Sequence, residues 1–201
     1  MIVPESFYLN DDVVTIAQLL LGKVLVTSID GITTSAIITE TEAYAGVTDK
    51  ASHAYGNRRT ARTEVMFGKA GVAYVYLCYG IHHLFNVVTN VEGIPHAVLI
   101  RAGEPLDGVA HMLERRKKNT PTPALTSGPG ALSAALGIRT HHSGLPLNSD
   151  AISIHDNGTV ISETNIVAAT RVGVAYAGPD ALLPYRFYIR GSQYVSKSKG
   201  L

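Results

Sequence analysis

Asp30-Gly31 lies between two runs rich in β-branched residues, Val24–Thr27 and Ser35–Tyr44. A two-residue Asp-Gly joint favours a turn with positive φ at both positions, which closes an antiparallel hairpin. Whatever this chain folds into must therefore contain an antiparallel sheet. Val72–Tyr79 alternates, with Tyr74 and Tyr76 facing one way and Val75 and Leu77 the other. Gly80 permits a tight reversal and His82–Thr89 returns, which places Tyr79, Gly80 and Ile81 at a second hairpin tip. His96–Arg101, Ser149–His155, Ala168–Ala175 and Arg186–Ile189 read as further strands. Three helices are expected. Asp11 or Asp12 caps the first, which runs from Val13 to Leu21 and stops at Gly22; Glu104-Pro105 opens a second through Met112 and Leu113; Ser127-Gly128-Pro129 opens a third ending at Gly137. Strands without βαβ alternation indicate an α+β fold, a single domain over residues 1–201 with a curved, largely antiparallel sheet and helices packed around it.

With 201 residues and 46% hydrophobic content the chain can bury one sizeable core. No linker-like tract divides it. No stretch approaches the roughly 18 apolar residues of a membrane span, and the N-terminus lacks the pattern of a signal peptide, so a soluble, cytoplasmic protein with no membrane partner is expected. Cys78 stands alone, which leaves no disulfide framework and no cysteine zinc site; its apolar neighbours predict a buried, inert thiol. The formal net charge of +1 does not supply the strongly basic field of many nucleic-acid binders. The charge is nevertheless segregated, with +3 on Gly56–Ala70, +3 on Glu114–Lys118 and +4 on Ala181–Leu201. If these segments converge they form one basic face on an acidic body; if not, they are three solvated patches. The polar tail after Val195 is expected to fray.

The span from Thr39 to Asn86 holds four acids, five tyrosines, three histidines and a basic loop between apolar strands. Stacking, hydrogen-bonding and phosphate-contacting groups interleaved in this way suit a pocket for a flat ligand with polar edges. Glu40, Glu42 and Tyr44 share one strand face. Ala45–Gly71 has no periodicity and reads as a long loop with one helical turn, and long loops in compact domains usually carry function. Each residue also has a plainer reading: Glu40 as a strand-end surface acid, Arg101 as a strand-end ion pair, the alternating tyrosines as core, His53 as a loop histidine. His82-His83 lacks further ligands that could be placed around a metal.

Several ordered motifs carry a resemblance. They are ETEAY at Glu40–Tyr44, DKASHA around His53, MFG at Met66–Gly68, YVYLCYG at Tyr74–Gly80, Asn86, LIRAGEP at Leu99–Pro105, SGPGAL at Ser127–Leu132, RVGVAYAG at Arg171–Gly178 and RFYIRGSQYVS at Arg186–Ser196. Over nearly the whole chain the sequence resembles the alkyladenine (3-methyladenine) DNA glycosylase family. The resemblance implies a monofunctional base-excision enzyme, without metal or cofactor. Such an enzyme flips an alkylated or deaminated purine out of duplex DNA and hydrolyses its N-glycosidic bond with an activated water. It also implies a monomer acting on duplex DNA at the nucleoid.

By position in those motifs, Glu42 matches the general base. Arg101 matches a residue that holds the water and keeps Glu42 ionised, and the Val172 carbonyl matches the third water contact. Tyr44, His53 and Tyr76 match the slot that sandwiches the flipped base, with the His53 main-chain amide reading its edge; Asn86 matches a residue that crowds the exocyclic amine of guanine. Tyr79 matches the side chain wedged into the minor groove, with Ile81 beside it, and Arg58, Arg62 and Arg116 align with phosphate contacts. The near-neutral charge departs from more basic relatives and bears on nonspecific DNA affinity. Two other functions share parts of this pattern: a damaged-base binding module that does not cut, and an N-glycoside hydrolase of free nucleosides.

Overall fold

The computed structural model describes residues 1–197. Two short helices open the chain, α1 (Glu5–Tyr8) and α2 (Val13–Leu19). Of the two candidate caps it is Asp12 that starts α2, its carboxylate accepting from the Val14 amide at 2.9 Å and the Thr15 hydroxyl at 2.6 Å. The buried positions Val13, Ile16 and Ala17 form the face of α2 that meets the sheet. β1 (Val24–Ile29) and β2 (Ile32–Tyr44) follow, joined by Asp30 and Gly31 at φ of +56° and +74°. These are the dihedral signs the Asp-Gly joint requires.

The sheet is antiparallel throughout. β3 (Ala73–Cys78), β4 (His82–Thr89), β5 (His96–Asp107), β2, β1 and β6 (Ile152–His155) lie side by side in that order. β8 (Arg186–Ile189) pairs with the far half of β2, at Glu40–Glu42, and with β7 (Ile166–Ala169). β2 is thus the spine: β5 runs along one edge, and β1 then β8 share the other. Its register against β5 slips between Ile38 and Thr41. Such bulges bend a strand and increase its twist, here directly beside Glu40 and Glu42. α3 (Val109–Arg116) and α4 (Pro129–Ala135) pack on the sheet through Met112, Leu132 and Ala135. Proline at the start of α4 takes the position its sequence indicates.

Several expectations require correction. Glu104 and Pro105 do not open a helix; they pair with Ile37 and Ala36 as part of β5, and α3 starts only at Val109. The break falls at Gly108, at φ +71°, where a Cβ would lie 2.4 Å from the Thr33 carbonyl oxygen. The strand expected over Ala168–Ala175 is confined to Ile166–Ala169; 3-10 turns occupy Ala175–Leu182. The long loop after Tyr44 holds three 3-10 turns, not one. Cys78 is partly exposed at the end of β3, not buried. The tail is held down at Ser196, whose amide and hydroxyl both donate to Glu40. Residues 198–201, including Lys199, lie outside the described residues. No helix among the described residues is long and apolar enough to cross a membrane.

Candidate active site

A cavity of about 530 Å³ opens beside the spine. Tyr44, His53, Tyr74, Tyr76, Asn86, Arg101 and Val172 all contribute to its wall. Period-two alternation on β3 delivers Tyr74 and Tyr76 to the same side, their rings 5.5 Å apart. Behind them Ala54, Met66, Phe67, Val88 and Ala97 form a separate apolar cluster that fixes the wall.

Glu42 lies just beneath this surface, fully buried. Two groups of the cavity wall donate to it and a third pairs with it as an ion. The Tyr44 hydroxyl reaches Oε2 at 2.8 Å; the Val172 amide reaches Oε1 at 2.8 Å; Arg101 Nη1 lies 3.3 Å from Oε1. A carboxylate offers about four acceptor positions, so one stays free for a further donor such as water. The Tyr44 phenol is pushed well above its ordinary pKa, first by burial and then by the Glu42 charge, and remains a donor.

Glu40 is not a surface acid. It is fully buried, and Arg101 Nε at 3.0 Å, Arg186 Nη1 at 3.2 Å, the Ser196 hydroxyl at 2.8 Å and the Ser196 amide at 2.6 Å surround it. Arg101 therefore sits between two carboxylates. Burial alone would lower its pKa, but Glu42 and Glu40 together hold it above the ordinary value. Two buried acids are balanced by two buried arginines, and of the two carboxylates only Glu42 accepts from Tyr44 and Val172.

Residues not singled out beforehand complete the support. Asp49 and Arg171 form a bidentate buried pair, and Arg171 also donates to the Ala43 carbonyl at 2.9 Å while its guanidinium lies 4.9 Å from the Tyr44 ring centroid. This pair anchors the turn carrying Val172. Asp49 and Arg171 both lie inside recognised motifs, but nothing local marks them as partners.

His53 is locked on both nitrogens. Arg62 donates to Nε2 at 3.1 Å, so the neutral ring carries its proton on Nδ1, 2.8 Å from the Tyr74 hydroxyl. Its pKa is lowered to about 4, mainly by burial and then by Arg62 and Arg58. The unfolded chain therefore takes up a proton at this residue between about pH 6.5 and 4 that the folded chain refuses. His53 contributes stability that is fully present above pH 6.5 and is lost as pH falls towards 4. NMR titration should show its ring resonances unmoved from pH 7.5 to 5.5, and a His53→Gln variant should lose less stability than the parent across that acid limb. A midpoint near 6.5 would contradict the locked geometry.

Tyr79 is 90% exposed at the tip between β3 and β4, with φ of +51°, and Ile81 beside it is 71% exposed. Both an open ring and a left-handed non-glycine backbone are costly, and such outliers gather at functional positions. Asn86 spends its amide nitrogen on the Tyr74 and Leu84 carbonyls. Arg58 is exposed and lines a second depression of about 340 Å³ with Lys50, Arg62 and Tyr176. Arg116 is turned to the Leu125 and Ala124 carbonyls, and the +4 segment keeps Arg186 inside the protein. His83 bonds Thr140 and His82 packs on Gly130; among the described residues no trio of His, Cys, Asp or Glu is placed to hold a metal.

A sequence model of the methylpurine-DNA glycosylase (MPG) family matches residues 6–193. This chain belongs to that family. A relative in Bacillus cereus (strain G9842), named "Putative 3-methyladenine DNA glycosylase", is 48% identical over 202 residues, covering 96% of this chain and 98% of its own. A relative of the same name in Chlamydia felis (strain Fe/C-56) is 48% identical over 197 residues, covering 98% of each chain. Family membership and the α+β half-barrel thus agree with the motif reading, and the cavity described above lies among the residues that carried it.

Proposed function

We propose that this chain is a DNA glycosylase that flips an alkylated or deaminated purine out of the duplex and hydrolyses its N-glycosidic bond, leaving an abasic site. The observation that carries the reading is Glu42, bonded to Tyr44, Arg101 and Val172 at an aromatic cavity beside an exposed tyrosine-tipped hairpin. The flipped base stacks among Tyr44, His53 and Tyr76, whose faces also attract a cationic alkylpurine. As the glycosidic bond breaks, its electron pair leaves with the base and positive charge grows on the sugar, where the Glu42 carboxylate stabilises it. A water held near Arg101 and Val172 adds its oxygen to the sugar carbon and passes a proton to Glu42. Asn86 selects against guanine by crowding its exocyclic amine. Arg58, exposed on the adjoining depression, supplies a cation to the DNA backbone, whereas Arg62 and Arg116 would have to give up contacts within the protein to do so.

Excision assays on duplexes carrying hypoxanthine, 3-methyladenine, 7-methylguanine or ethenoadenine, read as abasic-site formation, test the whole reading. Release of at least one base supports it; binding without release would make this a recognition module. Tyr79 and Ile81 wedge the helix open. Tyr79→Ser should therefore reduce duplex excision about a hundredfold, through loss of a contact that offsets unstacking. Stability should change by less than about 0.5 kcal/mol, because the ring is exposed. Unchanged excision would remove the wedge from the mechanism, and equal activity on free inosine and duplex hypoxanthine would indicate a nucleoside hydrolase.

A further inference from the structure

We propose that Arg62 is a specificity-determining residue that favours excision of electrically neutral purine lesions over cationic ones. The inference rests on the glycosylase reading above and deepens it. The Arg62 guanidinium carbon lies 4.8 Å from the Tyr76 ring centroid, while another of its nitrogens donates to His53. Tyr76 and His53 line the cavity; Arg62 does not, and belongs to the adjoining depression. Arg62, itself exposed, therefore contacts two residues of the aromatic wall from the adjoining depression and not from within the cavity. It adds a fixed positive charge just behind that wall. His53 contributes no second charge, because burial and the neighbouring arginines keep its imidazole neutral down to about pH 4.

The consequences differ with the charge of the base. A ring that already has a cation on one face has less electron density to offer a cation on the other. An N7- or N3-alkylated purine, positively charged before cleavage, is then repelled by a like charge on the other side of the Tyr76 ring. Hypoxanthine or ethenoadenine behaves in the opposite sense. It is neutral in the duplex and becomes electron-rich as it leaves with the bonding pair, so the same charge stabilises its departure. In both cases the glycosidic carbon gains the water oxygen, the base keeps the electron pair, and the water proton passes to Glu42. Only the charge on the departing base differs, and Arg62 is positioned to sense it through Tyr76.

The test compares single-turnover excision of hypoxanthine and 7-methylguanine from one duplex sequence at saturating enzyme. In Arg62→Gln the hypoxanthine-to-7-methylguanine rate ratio should fall about tenfold, and Arg62→Lys, which keeps the charge, should restore most of it. A phosphate contact or a purely structural role affects both lesions alike and cancels in the ratio. Equal loss on both substrates, or a Lys variant indistinguishable from Gln, would overturn the proposal. Failure of the parent enzyme to release either base would instead overturn the glycosylase reading itself.

Discussion

Replacing Glu42 with glutamine should lower single-turnover excision of hypoxanthine from duplex DNA by about three orders of magnitude, with DNA binding changed only a few-fold. The substitution keeps the shape and removes the base. Both hydrogen-bond donors to Glu42 and its ion-pair partner Arg101 belong to the cavity wall, and one acceptor position remains free. Glu40 has the same chemistry but a different situation, because Arg101, Arg186 and Ser196 occupy its oxygens. That difference in coordination is why the proposed base is Glu42 and not Glu40. A glutamine that keeps its carbonyl towards Val172 and Arg101 turns its amide nitrogen to the Tyr44 hydroxyl, which must then accept and lose its own acceptor, at a cost of about 1–3 kcal/mol of stability. Thermal unfolding alongside the kinetics separates this cost from loss of chemistry. A folded Glu42→Gln protein that excises at the parent rate would refute the assignment.

What could be read from the sequence follows the range over which each feature is decided. The hairpin at Asp30-Gly31 is settled by the backbone preferences of two residues and the one at Tyr79-Gly80 by Gly80 alone, so turn chemistry places both correctly. Alternation along β3 likewise brings Tyr74 and Tyr76 to the cavity. The start of α3 was misplaced because Glu104-Pro105 imitates a helix opening, while its pairing with Ile37 and Ala36 is decided across the sheet. Glu40 is the clearest case at the site. Its partners lie 61, 146 and 156 residues along the chain, so no local pattern distinguishes it from a surface acid. The Asp49–Arg171 pair spans 122 residues and is equally silent. Motif resemblance points to residues that line the cavity; the buried charges behind them become evident only when the fold brings them together.

That support makes the second large prediction one of stability. Asp49→Ala should destabilise the protein by about 3–5 kcal/mol in chemical denaturation, a large part of the roughly 5–15 kcal/mol typical of a folded domain. The reason is what remains behind. Arg171 is fully buried and keeps only the Ala43 carbonyl at 2.9 Å and the Asp180 carbonyl at 3.0 Å, while its Nε has no partner among the described residues. Asp49 also accepts the Ala45 and Ala51 amides at 3.1 and 3.0 Å, so two loop donors are stranded as well. Adding Arg171→Met removes the orphaned cation and should recover about 2 kcal/mol, leaving the double variant more stable than Asp49→Ala alone. Both variants should also lose excision beyond their folded fraction, since Arg171 adjoins Val172 and covers the Tyr44 ring, and both hydrogen-bond donors to Glu42 thereby lose their support. A shift below about 1 kcal/mol for Asp49→Ala would mean that water reaches Arg171, and that the Val172 turn is held by something other than this ion pair.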